Sequence, residues 1–163
     1  YTGMKRTPLA SLLGNKFAHE YFATIADAHL LANNLPEDPN NTDTADGRTF
    51  KKTNSARRIA KMLCADQNEI PMSKILSTSQ LAIKTQIKWI TSALKKHLQR
   101  KGKEPKWISV SGSGESLAKM IIKSFIWKTE PTIHSFSKTF GEENSSAACA
   151  YSIMKLAGIY HEM

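Results

Sequence analysis

Apolar residues recur at helical spacing through most of this chain and cluster as strands in only two short stretches. Over residues 17–33 they fall at Phe17, Tyr21, Phe22, Ile25, Ala26 and Leu30, which predicts an amphipathic helix. Ser55 suits the N-cap of a second helix whose core face is Ala56, Ile59, Ala60 and Leu63, turning Arg57, Arg58 and Lys61 outward. Pro71 ends a linker, and residues 72–76 suggest a short helix. Residues 79–101 predict a long helix, with Ile83, Ile87, Ile90, Leu94 and Leu98 on one face and Gly102 as its stop. Trp107, Ile108 and Val110 read as a buried strand; Ser111-Gly112-Ser113-Gly114 is a turn, and Glu115 opens a helix through Leu117, Met120, Ile121, Ile122 and Phe125. Residues 132–136 suggest a second strand. Ser145 starts a last helix with Ala147, Ala148 and Ala150 on its small face, and Gly158 ends it. Before residue 17 the pattern fits either an edge strand or the entry to a helix at Thr7-Pro8.

This predicts an α/β chain, helix-rich, with a small parallel sheet. Two strands joined by a helix make a β-α-β unit, which handedness rules place side by side in parallel. Residues 17–101 are expected to form a helical subdomain with a long loop at 34–54, and 106–163 a β-α-β-α part carrying the glycine turn. At 163 residues the whole, 1–163, is long enough for one domain with its own core. So small a sheet, with Tyr1 in place of an initiator Met, leads us to expect part of a longer protein.

Charge adds a second layer. The net charge is +9, concentrated in Lys51, Lys52, Arg57, Arg58 and Lys61 and again in Lys95, Lys96, Arg100, Lys101, Lys103 and Lys106. Few aromatics interleave these cations, which favours a solvated helix face over a nucleic-acid surface. No run of 18 apolar residues exists, so no membrane span is expected. Cys64 and Cys149, far apart in apolar helical patterns, read as buried free thiols of a reducing, cytoplasmic compartment.

Candidate chemistry lies in three places. The glycine turn between strand and helix is how α/β proteins present N–H groups to a phosphate; a plain strand-to-helix connector is the alternative. Glu115 there would meet a ribose hydroxyl or act as a cap. Glu20 and Asp27 lie two turns apart on the predicted first helix, near its apolar stripe, where two carboxylates can hold a cation or activate water; two solvent-facing acids are the alternative. Thr44-Ala45-Asp46-Gly47-Arg48 reads as a turn with Asp46-Gly47 at its tip. His19-Glu20 is no zincin motif, since position 23 is Ala, and the acids of the long loop do not follow EF-hand spacing.

The segments YTGMKRTPLASL, HEYFATIADAHLLANNLPED, TADGRTFKKT with SARRIAKML, and SVSGSGESLA, in that order, resemble the second half of the hydantoinase/oxoprolinase-like proteins tied to tetrahydromethanopterin-linked one-carbon transfer. The resemblance covers nearly the whole chain. It implies the second lobe of an actin-like ATPase fold, with the N-terminal lobe as its partner; a homodimer is a separate candidate assembly. It implies a role in methanofuran assembly, joining an aminomethyl-furan diphosphate to a glutamyl-tyramine, with an ATP-dependent hydrolase as the alternative. Carried over, Ser111, Gly112, Ser113 and Gly114 match the phosphate or nucleotide loop, and Glu20, Asp27, Asp46, Arg57 and Arg58 sit in the other motifs. A phosphorylated small-molecule substrate wants guanidinium groups, and Arg48, Lys51, Lys52, Arg57 and Arg58 supply cationic density. Glu20 and Asp46 are the candidates for Mg²⁺, and ATP is a candidate cofactor.

Overall fold

A computed structural model of the chain describes residue 3 and residues 5–158. Tyr1 lies outside the described residues. Within them the chain is helix-rich, with one small parallel sheet. It forms two compact units, residues 1–92 and 93–163. The division falls inside a long helix, whereas the sequence pattern changes between 101 and 106.

The first unit holds α1 (Leu9–Leu13), α2 (Ile25–Leu31), α3 (Lys52–Met62) and the first two-thirds of α4 (Met72–Lys101). Its core packs Leu9, Ile25, Ala28, Ile59, Met62 and Ile75, all buried. The helix expected over 17–33 starts only at Ile25. A capping device sets that start: Asp27, the third residue of α2, accepts at Oδ2 from the Thr24 N–H at 2.9 Å. The residues just before it are extended. Ile25 N–H donates to Thr7 O (2.8 Å) and Leu9 N–H to Ala23 O (2.9 Å), an antiparallel pairing that keeps Ala23 and Thr24 out of helix. Phe17 and Phe22 still pack against the core, but from an irregular segment.

α3 begins at Lys52 rather than at Ser55, because the long loop caps it: the Lys52 N–H donates to Glu37 Oε1 at 2.7 Å. α4 is continuous through the break expected at 77–78. The hydroxyls of Ser77, Thr78 and Ser79 donate back to the carbonyls of Lys74 and Ile75 at 2.9–3.0 Å, so they are satisfied inside the helix. Gly102 ends it with φ of +69°, as expected.

The second unit holds β1 (Trp107–Val110), α5 (Glu115–Ser124), β2 (Thr132–Ser135), α6 (Phe136–Phe140), α7 (Glu142–Ser146) and α8 (Ala148–Leu156). β1 and β2 pair in parallel, Trp107 opposite Thr132 and Val110 opposite Ser135, as the β-α-β reading requires. Val110, Leu117, Ile121 and Ile122 are its buried apolar residues, and Phe136, Phe140 and Tyr151 stack with ring centroids 4.6–5.7 Å apart. The last helix, expected from Ser145, is two helices broken at Ala147. Cys64 and Cys149, expected to be buried, are both exposed free thiols. Cys64 lies past the end of α3 with φ of +56°, closing the helix instead of packing in it. Among the described residues no helix is long and apolar enough to cross a membrane.

One polar chain runs through the first core. His29 is fully buried; its Nε2 meets Gln86 Oε1 at 2.8 Å and its Nδ1 meets Asn34 Nδ2 at 3.1 Å. Gln86 in turn donates from Nε2 to Gly3 O at 2.8 Å, which fixes its amide so that Nε2 of His29 is the protonated nitrogen. Burial lowers the His29 pKa below 6.5, against a smaller upward pull from Gln86. The unfolded chain therefore takes up a proton that the folded chain refuses once pH falls below 6.5. Stability is expected to be level above that pH and to decline as pH drops toward about 5, in urea unfolding at each pH. A flat profile over that interval would contradict a neutral buried His29.

Candidate functional site

The first unit is built around Arg58. It sits one turn after Ser55 on α3, and both side chains face Asp27 on α2. The Arg58 and Asp27 side chains are 1% and 2% exposed. Asp27 Oδ1 accepts from Arg58 Nη2 at 2.6 Å, Arg58 Nε at 2.9 Å and Ser55 Oγ at 2.7 Å. The remaining nitrogen, Nη1, donates to Asp46 Oδ1 at 2.8 Å. Asp46 sits in the expected 44–48 turn, closed by Gly47 N–H to Thr44 O (3.2 Å) and by Thr44 Oγ1 to Arg48 O (2.7 Å). Partial burial pushes Asp46 upward. The Arg58 hydrogen bond, the Arg48 backbone N–H and the charges of both arginines outweigh it, so its pKa lies below the usual carboxylate value.

Two concavities flank this frame. Arg48, Arg57 and Lys61 border an open hollow of about 590 Å³, with Asp66, Gln67 and Asn68 on its other side. Arg57 and Lys61 are four apart on the exposed face of α3, so their cations project together. Arg48 comes from the Asp46 turn, which Arg58 anchors. A second cleft, about 370 Å³, lies against Thr24 and Asp27 under the long loop; Tyr21, Leu35, Pro36 and Phe50 make its apolar wall.

The glycine turn belongs to the second unit. Gly112 has φ of +79° and donates its N–H to Ser145 Oγ at 2.9 Å. Gly114 has an ordinary φ of −93°, and a Cβ there would meet nothing within 4 Å. Only Gly112 therefore needs to be glycine for its backbone. Glu115 is buried beside the turn and is a hub. Its carboxylate accepts from Ser135 Oγ, from Ser137 Oγ (2.9 Å), from Ser145 Oγ (3.1 Å) and from Lys119 Nζ (2.7 Å). Burial pushes Glu115 up, but these donors outweigh it and hold its pKa down at about 2. The carboxylate is linked to the turn through one hydroxyl: Ser145 Oγ accepts the Gly112 N–H and donates to Glu115.

The structure brings Asp27, Asp46, Arg48 and Arg58 into one network and sets Arg57 beside it. Arg58, expected outside, is the most deeply buried cation, because Asp27 supplies its counter-charge. Glu20 and Asp27 do not share a helix face: Glu20 is exposed in the irregular segment before α2. Lys51 is the exposed N-cap residue of α3, outside the hollow's lining. Ser111, Gly112, Ser113 and Gly114 form the turn in the other unit. Among the described residues no group of three or more His, Cys, Asp or Glu side chains is placed to hold a metal ion. Sequence reading missed Ser55 as a buried donor and Ser135, Ser137 and Ser145 as partners of Glu115. The Thr24-x-x-Asp27 spacing was a local signal for the start of α2; the serines had none.

The model of the family described as Hydantoinase/oxoprolinase matches residues 14–152. The chain is 32% identical over 162 residues to a (4-{4-[2-(gamma-L-glutamylamino)ethyl]phenoxymethyl}furan-2-yl)methanamine synthase of Methanococcus vannielii, covering 94% of this chain and 72% of that protein. It is 25% identical over 165 residues to the protein of the same name from Methanocaldococcus jannaschii, covering 96% of this chain and 47% of that one. The chain thus spans about half the length of the second relative.

Removing Arg58 alone (Arg58→Met) leaves a buried carboxylate without its cation and should cost about 3–5 kcal/mol in denaturant unfolding. Asp27→Leu with Arg58→Met together should cost clearly less than the two single changes summed, and strict additivity would argue against a direct pair. At the turn, Gly112→Ala should lower stability by about 1–2 kcal/mol and Gly114→Ala by under ~1 kcal/mol. Thermal unfolding of both variants checks the order, and a costlier Gly114→Ala would contradict the backbone described.

Proposed function

The chain belongs to the hydantoinase/oxoprolinase family, and on that premise we propose that it is part of a methanofuran-pathway synthase that joins a furan-methyl diphosphate to a phenol acceptor. The observation that carries this is its kinship with the methanococcal synthase along nearly its whole length. That relative's name describes a phenoxymethyl-furan, an ether between a phenol oxygen and a furan-bound methylene. Such an ether forms when the phenol oxygen attacks the methylene carbon, the carbon–oxygen bond to the diphosphate breaks, and the phenol proton passes to a base.

The diphosphate is the group that needs the most help, because negative charge grows on it as it leaves. Arg48, Arg57 and Lys61 converge on one hollow and offer that charge three cations. Asp27 and Asp46 are committed to Arg58, so they act by positioning: Asp27 holds Arg58, Arg58 holds Asp46, and the Asp46 turn carries Arg48. Glu20, exposed next to cleft-lining Tyr21, is the acid free to take the phenol proton. The residues here do not make a Mg²⁺ site: Asp46 already bonds Arg58, Glu20 lies apart from it, and no acid cluster is placed for an ion among the described residues, so no step is routed through a metal. The nucleotide-dependent hydrolase reading rests on the glycine turn, and there the Glu115 carboxylate disfavours a second anion. The remainder of the active site falls to the part of the relatives' length that this chain does not span.

The test uses the full-length protein with a furan-methyl diphosphate and a phenol acceptor, reading coupled ether by mass spectrometry and inorganic diphosphate in equal amounts. Arg57→Ala and Lys61→Ala should each raise the KM for the diphosphate substrate about tenfold, the loss of roughly one charge-assisted contact. ATP hydrolysis without ether formation would overturn the proposal in favour of the hydrolase.

A further inference from the structure

We propose that a groove at the entrance to the second unit's sheet docks an acidic segment of a partner protein, held by its carboxylates and anchored by one apolar side chain. The inference goes beyond the condensation reading above and does not depend on it.

The groove, about 930 Å³, belongs wholly to the second unit. Its walls are the end of α4 with the 102–106 loop on one side and the 125–132 segment on the other, the two stretches that lead into β1 and β2. It therefore lies at the N-terminal end of both strands, away from the glycine turn that follows β1. Small-molecule sites of α/β sheets sit at the other, carboxyl end. Two hydrogen bonds tie the walls together. Lys128 N–H donates to Glu104 Oε2 at 2.9 Å, and Thr132 N–H donates to Lys106 O at 3.0 Å.

The lining offers an apolar anchor point. Leu98, Pro105 and Phe125 line the groove half-buried, and Ile126 lines it at 93% exposure. Phe125 stacks on Trp127 with ring centroids 4.3 Å apart, and Trp127 Nε1–H donates to Ile122 O at 2.9 Å. Ile126, between these two fixed rings, is thereby held out in water. An apolar side chain of a partner laid against it would remove surface from water on both molecules.

The charges decide the class of partner. Lys95, Lys103, Lys106 and Lys128 line the groove and are exposed, and among the described residues none of them makes an ion pair. Lysines at the end of a helix also answer its dipole, but Lys106 and Lys128 lie outside α4. Two acids, Glu104 and Glu130, are set among these cations. Nucleic acid or an anionic membrane presents uniform negative charge, which would meet the glutamates as well as the lysines. Lysine also lacks the planar fork with which arginine grips phosphate. A protein segment carries its carboxylates singly, at intervals along a backbone, so it can meet the lysines and pass the glutamates. The surplus of lysine makes the fitting segment acidic.

The probe is the fluorescein-labelled peptide Glu-Glu-Leu-Phe-Glu-Glu, titrated into the full-length protein and read by fluorescence anisotropy. It should bind with a Kd of about 10–100 µM. Serine in place of its Leu-Phe, or Ile126→Ser in the protein, should weaken it about fivefold. Lys103→Gln with Lys128→Gln should weaken it about tenfold, and Lys103→Arg with Lys128→Arg should leave it unchanged. All three side chains are exposed, so thermal unfolding of these variants should match the parent protein. No binding at millimolar concentration, equal affinity for the serine peptide, or an unchanged Kd in the glutamine variant would overturn the inference. Tighter binding to an oligothymidine of equal charge, or to phosphatidylglycerol vesicles, would overturn it in favour of a nucleic-acid or membrane surface. Protection of Lys103 and Lys128 from acetylation in the full-length protein alone would overturn it in favour of another part of the same protein or a second copy.

Discussion

The ion pair of Asp27 with Arg58 is the constraint on which the first unit depends. Two charges withdrawn from water cost several kcal/mol apiece, and they persist only when geometry and extra hydrogen bonds compensate. Here Ser55 and the Thr24 N–H supply those extra bonds. One carboxylate therefore fixes where α2 begins, how α2 meets α3, and which rotamer Arg58 adopts. The third nitrogen of Arg58 passes the constraint outward to Asp46, so a surface turn is tethered to the core. The cleft and the basic hollow take their walls from opposite ends of this network: Asp27 backs one, and Arg48 edges the other.

Glu115 plays a comparable part in the second unit. It gathers hydroxyls from three serines and the ammonium of Lys119 at the first turn of α5. Ser145 joins that hub to the N–H of Gly112, so α7 is held to the glycine turn. Through this hub the left-handed glycine of the turn is tied to α5 and α7. It also explains the break at Ala147: Ser145 faces inward to the carboxylate, so it cannot serve as the cap of a straight final helix.

The parts legible in the sequence were those fixed by local chemistry. Long spacing of Ile and Leu with Gly102 behind it gave α4 from Ser79 on, though not its continuity back to Met72; Asp46-Gly47 gave the turn; strand, glycine and helix in succession gave the parallel β1-α5-β2 unit. What was not legible depended on distant partners. Arg58 reads as a surface residue until Asp27, 31 positions earlier, is placed against it. The same holds for Ser55, whose spacing suits a cap and whose hydroxyl belongs to the core. The segment before α2 carried apolar residues at helical intervals, yet backbone pairing with 7–9 won over that pattern. Of the acids singled out in advance, the two engaged by Arg58 lie in one network and Glu20 lies apart, a distinction spacing alone cannot draw.

The chain of contacts from His29 through Gln86 to Gly3 has a bearing on how the protein is made. A polypeptide leaves the ribosome from its N-terminus, and its units fold as they are completed. The carbonyl of Gly3 and the imidazole of His29 emerge early, but their common partner lies 83 residues after Gly3. Until that glutamine is in place, the buried Nε2–H of His29 lacks its partner, and burying it so would cost about 1–3 kcal/mol. Gln86, at the middle of α4, is thus the contact that completes the polar chain of the first unit, and it is the last member of that chain to be synthesised.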